Sequence, residues 1–122
     1  MFLKTQITAI GPDVADLIEG GVLILFAEGA PPELAEVSVL HRVDSVDKIQ
    51  PNTGATIKIG ALDAKITAIG EYAWKKVIDM GHVVINFNNA AQAERPGEIC
   101  ATALDAADLM AALKAGQTIC IE

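Results

Sequence analysis

The sequence predicts a mainly β protein: an antiparallel barrel, or a paired barrel with swapped strands, built from two pseudo-repeated halves with a few short helices. Its 122 residues suit one domain, or two halves too small to be stable alone. Apolar residues make up 52% of the chain and mean hydropathy is +0.38, a composition that excludes disorder. Short strand-like segments alternate with turns and short helices, without long crossovers, which favours an antiparallel sheet.

An internal repeat divides the sequence into two halves. Three pairs of segments match in the same order: 7–11 with 66–70, 21–26 with 81–87, and 54–59 with 116–121. Both segments of the first pair read Ile-Thr-Ala-Ile-Gly. We therefore predict a single domain, 1–122, made of related halves at about 1–60 and 61–122. No Pro/Gly/Ser-rich linker separates the halves, so we expect them to share one core.

Eight segments are predicted strands, because they are rich in Ile and Val and are bounded by Gly, Pro, Asn or Asp. They are 2–10, 21–27, 36–43, 55–60, 63–69, 82–87, 97–103 and 117–121. Each half thus contributes four strands to the predicted barrel.

Three segments are predicted helices: 12–19, 71–80 and 104–114. Pro12 suits the opening turn of the first, and Gly20-Gly21 ends it. The second carries an apolar stripe and stops at Gly81, while Asp105 is the expected N-cap of the third. The segment Glu28–Glu33, rich in Gly and Pro, is predicted to be a turn that leads into one helical turn.

Charge and composition exclude several classes of function. The net charge is 9 − 16 = −7 with no basic stripe, so we expect no nucleic-acid partner. The apolar run Val22–Ala27 is too short to cross a bilayer, and the N-terminus lacks the features of a signal peptide. Two cysteines, Cys100 and Cys120, are too few for a disulfide framework. These features predict an acidic cytoplasmic protein.

No motif in the sequence predicts a cofactor or a metal ion. The histidines and cysteines lack the close spacing of metal ligands. Neither GxGxxG nor GxxxxGK[ST] occurs. We therefore expect neither a metal site nor a cofactor site.

Two histidines, His41 and His82, are the candidates for chemistry at neutral pH. On a regular strand, His41 shares an apolar face with Val39 and Val43, and Arg42 points the other way. Such a histidine is either a structural residue with a hydrogen-bonded ring or a nucleophile with one ring nitrogen exposed. His82 lies at the start of a strand, where an exposed polar role is the simpler interpretation.

An ordered set of motifs resembles the enzyme IIA component of the bacterial glucitol/sorbitol-specific phosphotransferase system. In the first half the set is Leu23-Ile-Leu-Phe-Ala-Glu28-Gly-Ala-Pro-Pro-Glu-Leu34, followed by Leu40-His41. In the second half it is Ile66-Thr-Ala-Ile-Gly70, Met80-Gly81-His82-Val-Val-Ile-Asn-Phe87 and Glu94-Arg-Pro96-Gly97. The resemblance runs in order from about Thr5 to the C-terminus.

This resemblance implies a phosphohistidine carrier. His41 would accept a phosphoryl group from the histidine phosphocarrier protein and pass it to a cysteine of the cognate IIB component. The sugar is then phosphorylated as it crosses the membrane through IIC, the only link to a membrane. By analogy with other IIA proteins, His82 could hydrogen-bond the phosphoryl group.

Two alternative functions remain open. One is a non-enzymatic partner-binding or regulatory barrel that keeps the family fold, and the other is a small-ligand-binding barrel with an enclosed cavity. A carrier predicts His41 exposed in a shallow apolar depression. A partner-binding barrel predicts His41 buried and fully hydrogen-bonded. The oligomeric state is a separate question, for which a homodimer is the candidate.

Overall fold

The protein folds as a closed eight-stranded barrel with four short helices, in a computed structural model that describes residues 1–122. The elements are β1 (Leu3–Ile10), α1 (Val14–Glu19), β2 (Val22–Ala27), α2 (Pro32–Ala35), β3 (Val39–Val46), β4 (Thr56–Ile59), β5 (Leu62–Ile69), α3 (Ala73–Met80), β6 (Val83–Asn86), β7 (Glu98–Ala101), α4 (Ala106–Ala112) and β8 (Thr118–Ile121). The strand order around the barrel is β1-β3-β2-β6-β7-β5-β4-β8. The predicted mainly β barrel is confirmed.

Most neighbouring strands run antiparallel, as the sequence predicts. The exceptions are β2 with β3 and β6 with β7, which pair in parallel. In both cases a connection of about ten residues separates the two strands, long enough to return the chain to the same end of the barrel. The first of these connections contains α2, where a helical turn was expected.

The strand pairings of the second half repeat those of the first. β1 pairs with β3 and β2 with β3, just as β5 pairs with β7 and β6 with β7. The last strand of each half is exchanged: β4 lies between β5 and β8, and β8 lies between β1 and β4. This exchange supports the proposal of two pseudo-repeated halves sharing one core, because neither half could close its sheet alone.

The two copies of Ile-Thr-Ala-Ile-Gly make the same contact in each half. Gly11 N–H donates to the carbonyl of Ser38, and Gly70 N–H donates to the carbonyl of Glu98. A Cβ at either glycine would overlap backbone carbonyl oxygens, those of Ala35 and Pro96 among them. The motif therefore ends in glycine because the chain after β1 and β5 passes directly against another backbone segment.

The predicted helix signals act as expected at two ends. The Asp105 side chain accepts a hydrogen bond from Asp108 N at 2.9 Å and so caps α4. Gly81 ends α3 in the left-handed region, with φ of +60°. The longest helix, α3, has eight residues, and none of the helices has the length and apolar character that crossing a bilayer requires.

Apolar side chains fill the barrel. Alternate residues of the strands, such as Leu3, Ile7, Leu23, Ile85 and Ile119, are fully buried and pack into one core. Four polar or charged residues are also buried: Thr5, Ser38, His41 and Glu98. The interior is therefore a packed core, without the enclosed cavity that a small-ligand-binding barrel requires.

Candidate functional site

The largest surface depression lies where β2, β3 and the end of α3 meet. Its volume is about 370 Å³, and it is open to solvent. Apolar side chains of β3 and α3 form much of the wall, and Glu28, Arg42 and Asp79 add charge. His41 and Gly81 also line it. The structure thus places one of the two predicted site histidines at the depression.

His41 is held at this position by its strand neighbours on both sides. It pairs with Ile7 of β1 and with Ala27 of β2, so its ring is directed into the packed wall of the barrel. The residue is 1% exposed. Nδ1 lies 2.6 Å from Oγ1 of Thr5, and Nε2 lies 2.5 Å from the carbonyl oxygen of Gly81. Because a carbonyl oxygen only accepts, Nε2 carries a proton in this arrangement.

This geometry combines features of two alternatives. The open depression agrees with a carrier, but the exposed His41 predicted for a carrier is wrong, because the residue is 1% exposed. The buried, doubly hydrogen-bonded ring is the state expected of a partner-binding barrel. Because Gly81 lines the depression and buried Thr5 does not, Nε2 is the ring nitrogen on the depression side, with the Gly81 carbonyl against it.

Burial lowers the pKa of His41 below its usual range, because the cation would lose its hydration, and the hydrogen bond to the Gly81 carbonyl opposes this only in part. A lowered pKa keeps the ring neutral at neutral pH. A neutral imidazole has a lone pair on one ring nitrogen, which an attacking nucleophile requires.

The lowered pKa predicts a pH-dependent stability. The unfolded chain binds a proton at His41 more readily than the folded protein, so the free energy of unfolding should fall as pH drops below about 6.5. The contribution of neutral His41 to the free energy of unfolding is fully present above that pH. Below it, this one group can change the free energy of unfolding by at most about 1.4 kcal/mol per pH unit. Urea unfolding of wild type and His41→Gln at a series of pH values measures it. Equal pH dependence in the two proteins would contradict the prediction.

The structure does not bring His82 to His41. Nδ1 of His82 donates to the carbonyl oxygen of Leu25 at 3.0 Å, and its ring packs on Phe26 with centroids 4.7 Å apart. No hydrogen bond joins the two histidines, and His82 does not line the depression. A contact between His82 and a phosphoryl group therefore stays a prediction, without geometric support.

Arg42 points away from the ring of its neighbour, as strand alternation predicts. Its Nη2 donates to Oε1 of Gln6 on β1 at 3.2 Å, and the side chain is exposed. It is the one cationic side chain that lines the depression. It therefore stands beside the mouth of the site, where it can face a docked protein.

Sequence reasoning missed Thr5, the side chain that contacts Nδ1 of His41. Thr5 is fully buried, and its hydroxyl also lies 2.8 Å from the carbonyl oxygen of Arg42. One signal was present: Thr5 stands between Leu3 and Ile7 on the inward face of a predicted strand. A polar residue in the apolar phase of a strand is informative because it needs a buried partner.

Comparison with known proteins agrees with this architecture. The family model described as PTS system glucitol/sorbitol-specific IIA component matches residues 2–120. Two PTS system glucitol/sorbitol-specific EIIA components, from Shigella flexneri and Escherichia coli (strain K12), are each 32% identical over 96 residues, which is 79% of this chain and 77% of theirs. The crystal structure of the PTS system IIA component from Enterococcus faecalis V583 has a TM-score of 0.77, covering 96% of this chain and 97% of that one at 21% identity, and shows the same fold.

The family match defines the class of protein: a IIA phosphocarrier component of a sugar phosphotransferase system, built on this closed barrel. The chain belongs to the family of glucitol/sorbitol-specific IIA components of that system. The resemblance stated from its motifs is confirmed.

Proposed function

We propose that His41 is the phosphoryl acceptor of this IIA component. It takes the group from the histidine phosphocarrier protein and passes it to a cysteine of the cognate IIB component, in the cytoplasm. The glucitol/sorbitol specificity in the names of its relatives supports a role in the uptake of these hexitols. The membrane is involved only through IIC.

One observation carries the assignment: of the two histidines, only His41 lines the depression, with its Nε2 on that side. The second nitrogen, Nδ1, is fixed by a buried partner, which orients the ring. A neutral imidazole with one nitrogen held inside and the other toward the surface can attack phosphorus in line. The carboxylates of the depression, Glu28 and Asp79, are exposed instead, and Asp79 forms an ion pair with Lys75 at the surface.

Transfer requires that the Gly81 carbonyl move away from Nε2, because the two atoms are in hydrogen-bond contact. Gly81 is suited to this movement. It has no side chain, it lies at the end of α3, and its φ of +60° is one of several conformations open to glycine. The Gly81 carbonyl moves when the donor protein docks, and the docked donor then excludes water from the reacting group.

The rim of the depression supports docking of a protein. Ile78 and Met80 are 40% and 43% exposed at the end of α3, beside Asp79. An apolar centre with a charged edge is typical of transient protein complexes. The same surface would serve the donor and the IIB acceptor in turn, because both must reach one nitrogen atom.

Phosphorylation with a complete donor system tests the proposal. Incubation with phosphoenolpyruvate, enzyme I and the histidine phosphocarrier protein should give about one acid-labile, alkali-stable phosphate per chain. Addition of the glucitol/sorbitol IIB component should remove it. Absence of label from the wild-type protein with an active cognate donor would contradict the carrier role.

A second function has one observation in its favour. His41 is buried with both ring nitrogens hydrogen-bonded, the state expected of a partner-binding or regulatory barrel. Such a barrel would bind the same partners without becoming phosphorylated. Stable binding of the histidine phosphocarrier protein without label would support it over the carrier.

A further inference from the structure

The hydroxyl of Thr5 has two partners and one proton. Its Oγ1 lies 2.6 Å from Nδ1 of His41 and 2.8 Å from the carbonyl oxygen of Arg42. The carbonyl can only accept, whereas Nδ1 donates or accepts according to whether it carries a proton. The hydroxyl proton therefore points to Nδ1 in one state and to the Arg42 carbonyl in the other.

These two states correspond to the two neutral forms of His41. With the proton on Nε2, the ring donates to the Gly81 carbonyl, and Nδ1 accepts from Thr5. With the proton on Nδ1, the ring donates to Oγ1 of Thr5, and Thr5 donates to Arg42. Nε2 then has a free lone pair. Rotation of one hydroxyl hydrogen keeps Nδ1 hydrogen-bonded in both forms.

We propose that Thr5 is a positioning residue for phosphoryl transfer, whose hydroxyl lets His41 change from the resting Nε2–H form to the nucleophilic Nδ1–H form. The inference rests on the proposed function of His41. It adds that the resting histidine is not in the reactive form, and that Thr5 stabilises the reactive one.

The pseudo-repeat supplies an independent argument. His41 pairs with Ile7, and Ala101 pairs with Ile66, the matching residue of the second half. Thr5 precedes Ile7 by two residues, just as Ala64 precedes Ile66. The second half therefore has alanines where the first has Thr5 and His41, and both are buried. Because the barrel closes with methyl groups at these positions, its fold does not require the polar pair.

The chemistry balances without a further reactant other than water. Once the Gly81 carbonyl moves away, and before the docking donor has excluded water, Nε2 gives its proton to water and Nδ1 takes one from water, with no net change. The lone pair of Nε2 then forms the bond to phosphorus, while the N–P bond of the donor breaks and the donor nitrogen keeps its electron pair. The proton on Nδ1 stays in place, hydrogen-bonded to Thr5.

Variants at Thr5 test the proposal in the full-length protein. Thr5→Val keeps the shape and removes the hydroxyl, Thr5→Ala copies the residue of the second half, and Thr5→Ser keeps the hydroxyl. The rate of phosphorylation of His41 by the histidine phosphocarrier protein should fall about 100-fold in the first two variants. Thr5→Ser should retain most of the rate. Thermal unfolding of each variant verifies that it is folded. If Thr5→Val does not fold, the rate measured for Thr5→Ala tests the proposal.

A second readout separates positioning from a merely structural role. Without an acceptor at Nδ1, the imidazolium loses a stronger hydrogen bond than the neutral ring does, so the pKa of His41 should fall. The acid limb of the pH–rate profile, and the ¹⁵N shifts of the His41 ring, should move to lower pH in Thr5→Ala and not in Thr5→Ser. Wild-type rate and pH profile in Thr5→Ala would overturn the role of Thr5 alone. Absence of label from the wild-type protein would instead overturn the proposed function.

Discussion

Replacement of His41 by glutamine should abolish phosphorylation by the histidine phosphocarrier protein, from about one phosphate per chain to none. Glutamine has no nucleophilic ring nitrogen, but its amide can still donate to the Gly81 carbonyl, so the barrel should remain folded. The label is measured on intact protein by mass spectrometry after alkaline quenching. Circular dichroism and thermal unfolding verify the fold.

His82→Gln is the matched control, because it changes the other histidine in the same way. His82 is bound to Leu25 and packs on Phe26, away from the depression, so this variant should still be phosphorylated. Label that survives in His41→Gln would contradict the assignment of the acceptor. Loss of label in folded His82→Gln would show instead that His82 takes part in transfer, as the analogy with other IIA proteins predicts.

Gly11→Ala and Gly70→Ala should each destabilise the barrel by about 3 kcal/mol, and lower Tm by roughly 10 °C. At both positions a Cβ would overlap backbone carbonyl oxygens, and backbone cannot rotate away as a side chain can. The added methyl group therefore has to push two chain segments apart. At Gly11 these are the end of β1 and the connection between β2 and β3, and at Gly70 they are the end of β5 and the connection between β6 and β7. Urea unfolding gives the free energy and calorimetry gives Tm.

Gly20→Ala is the control for this pair. Gly20 has φ of −86°, which any residue adopts, and a Cβ there would meet Leu17 O at an ordinary 3.5 Å. Its unfolding free energy should stay within about 0.5 kcal/mol of wild type. Equal decreases in unfolding free energy for all three substitutions would show that the loss of glycine itself, and not the close backbone approach, causes the destabilisation.

Local patterns in the sequence were sufficient to predict the barrel's elements. Ile- and Val-rich segments placed the strands, and glycine at Gly20 and Gly81 placed the helix ends, because these signals depend on neighbours within a few residues. The two parallel pairings were not predicted, since pairing direction depends on how the connections after β2 and β6 cross the barrel.

The contacts of the site could not be derived from local patterns. His41 was found because it is a histidine in an apolar strand, but Thr5 is 36 residues away and Gly81 is 40. Both reach the ring only when β1, β3 and α3 are assembled. His82 likewise meets the carbonyl of Leu25, 57 residues earlier, through the pairing of β2 with β6. Such contacts form only when the barrel closes. The sequence predicts a barrel but does not predict which distant residues its closure brings together.

The exchange of β4 and β8 has a consequence for protein synthesis. A ribosome releases β8 last of the eight strands, yet β8 is the one that joins β1 to β4. During translation, the nascent chain therefore carries two open sheet edges that no earlier strand can cover. Such edges are templates for pairing with other chains. Chaperone protection of the emerging chain should matter until residues 118–121 have left the ribosome.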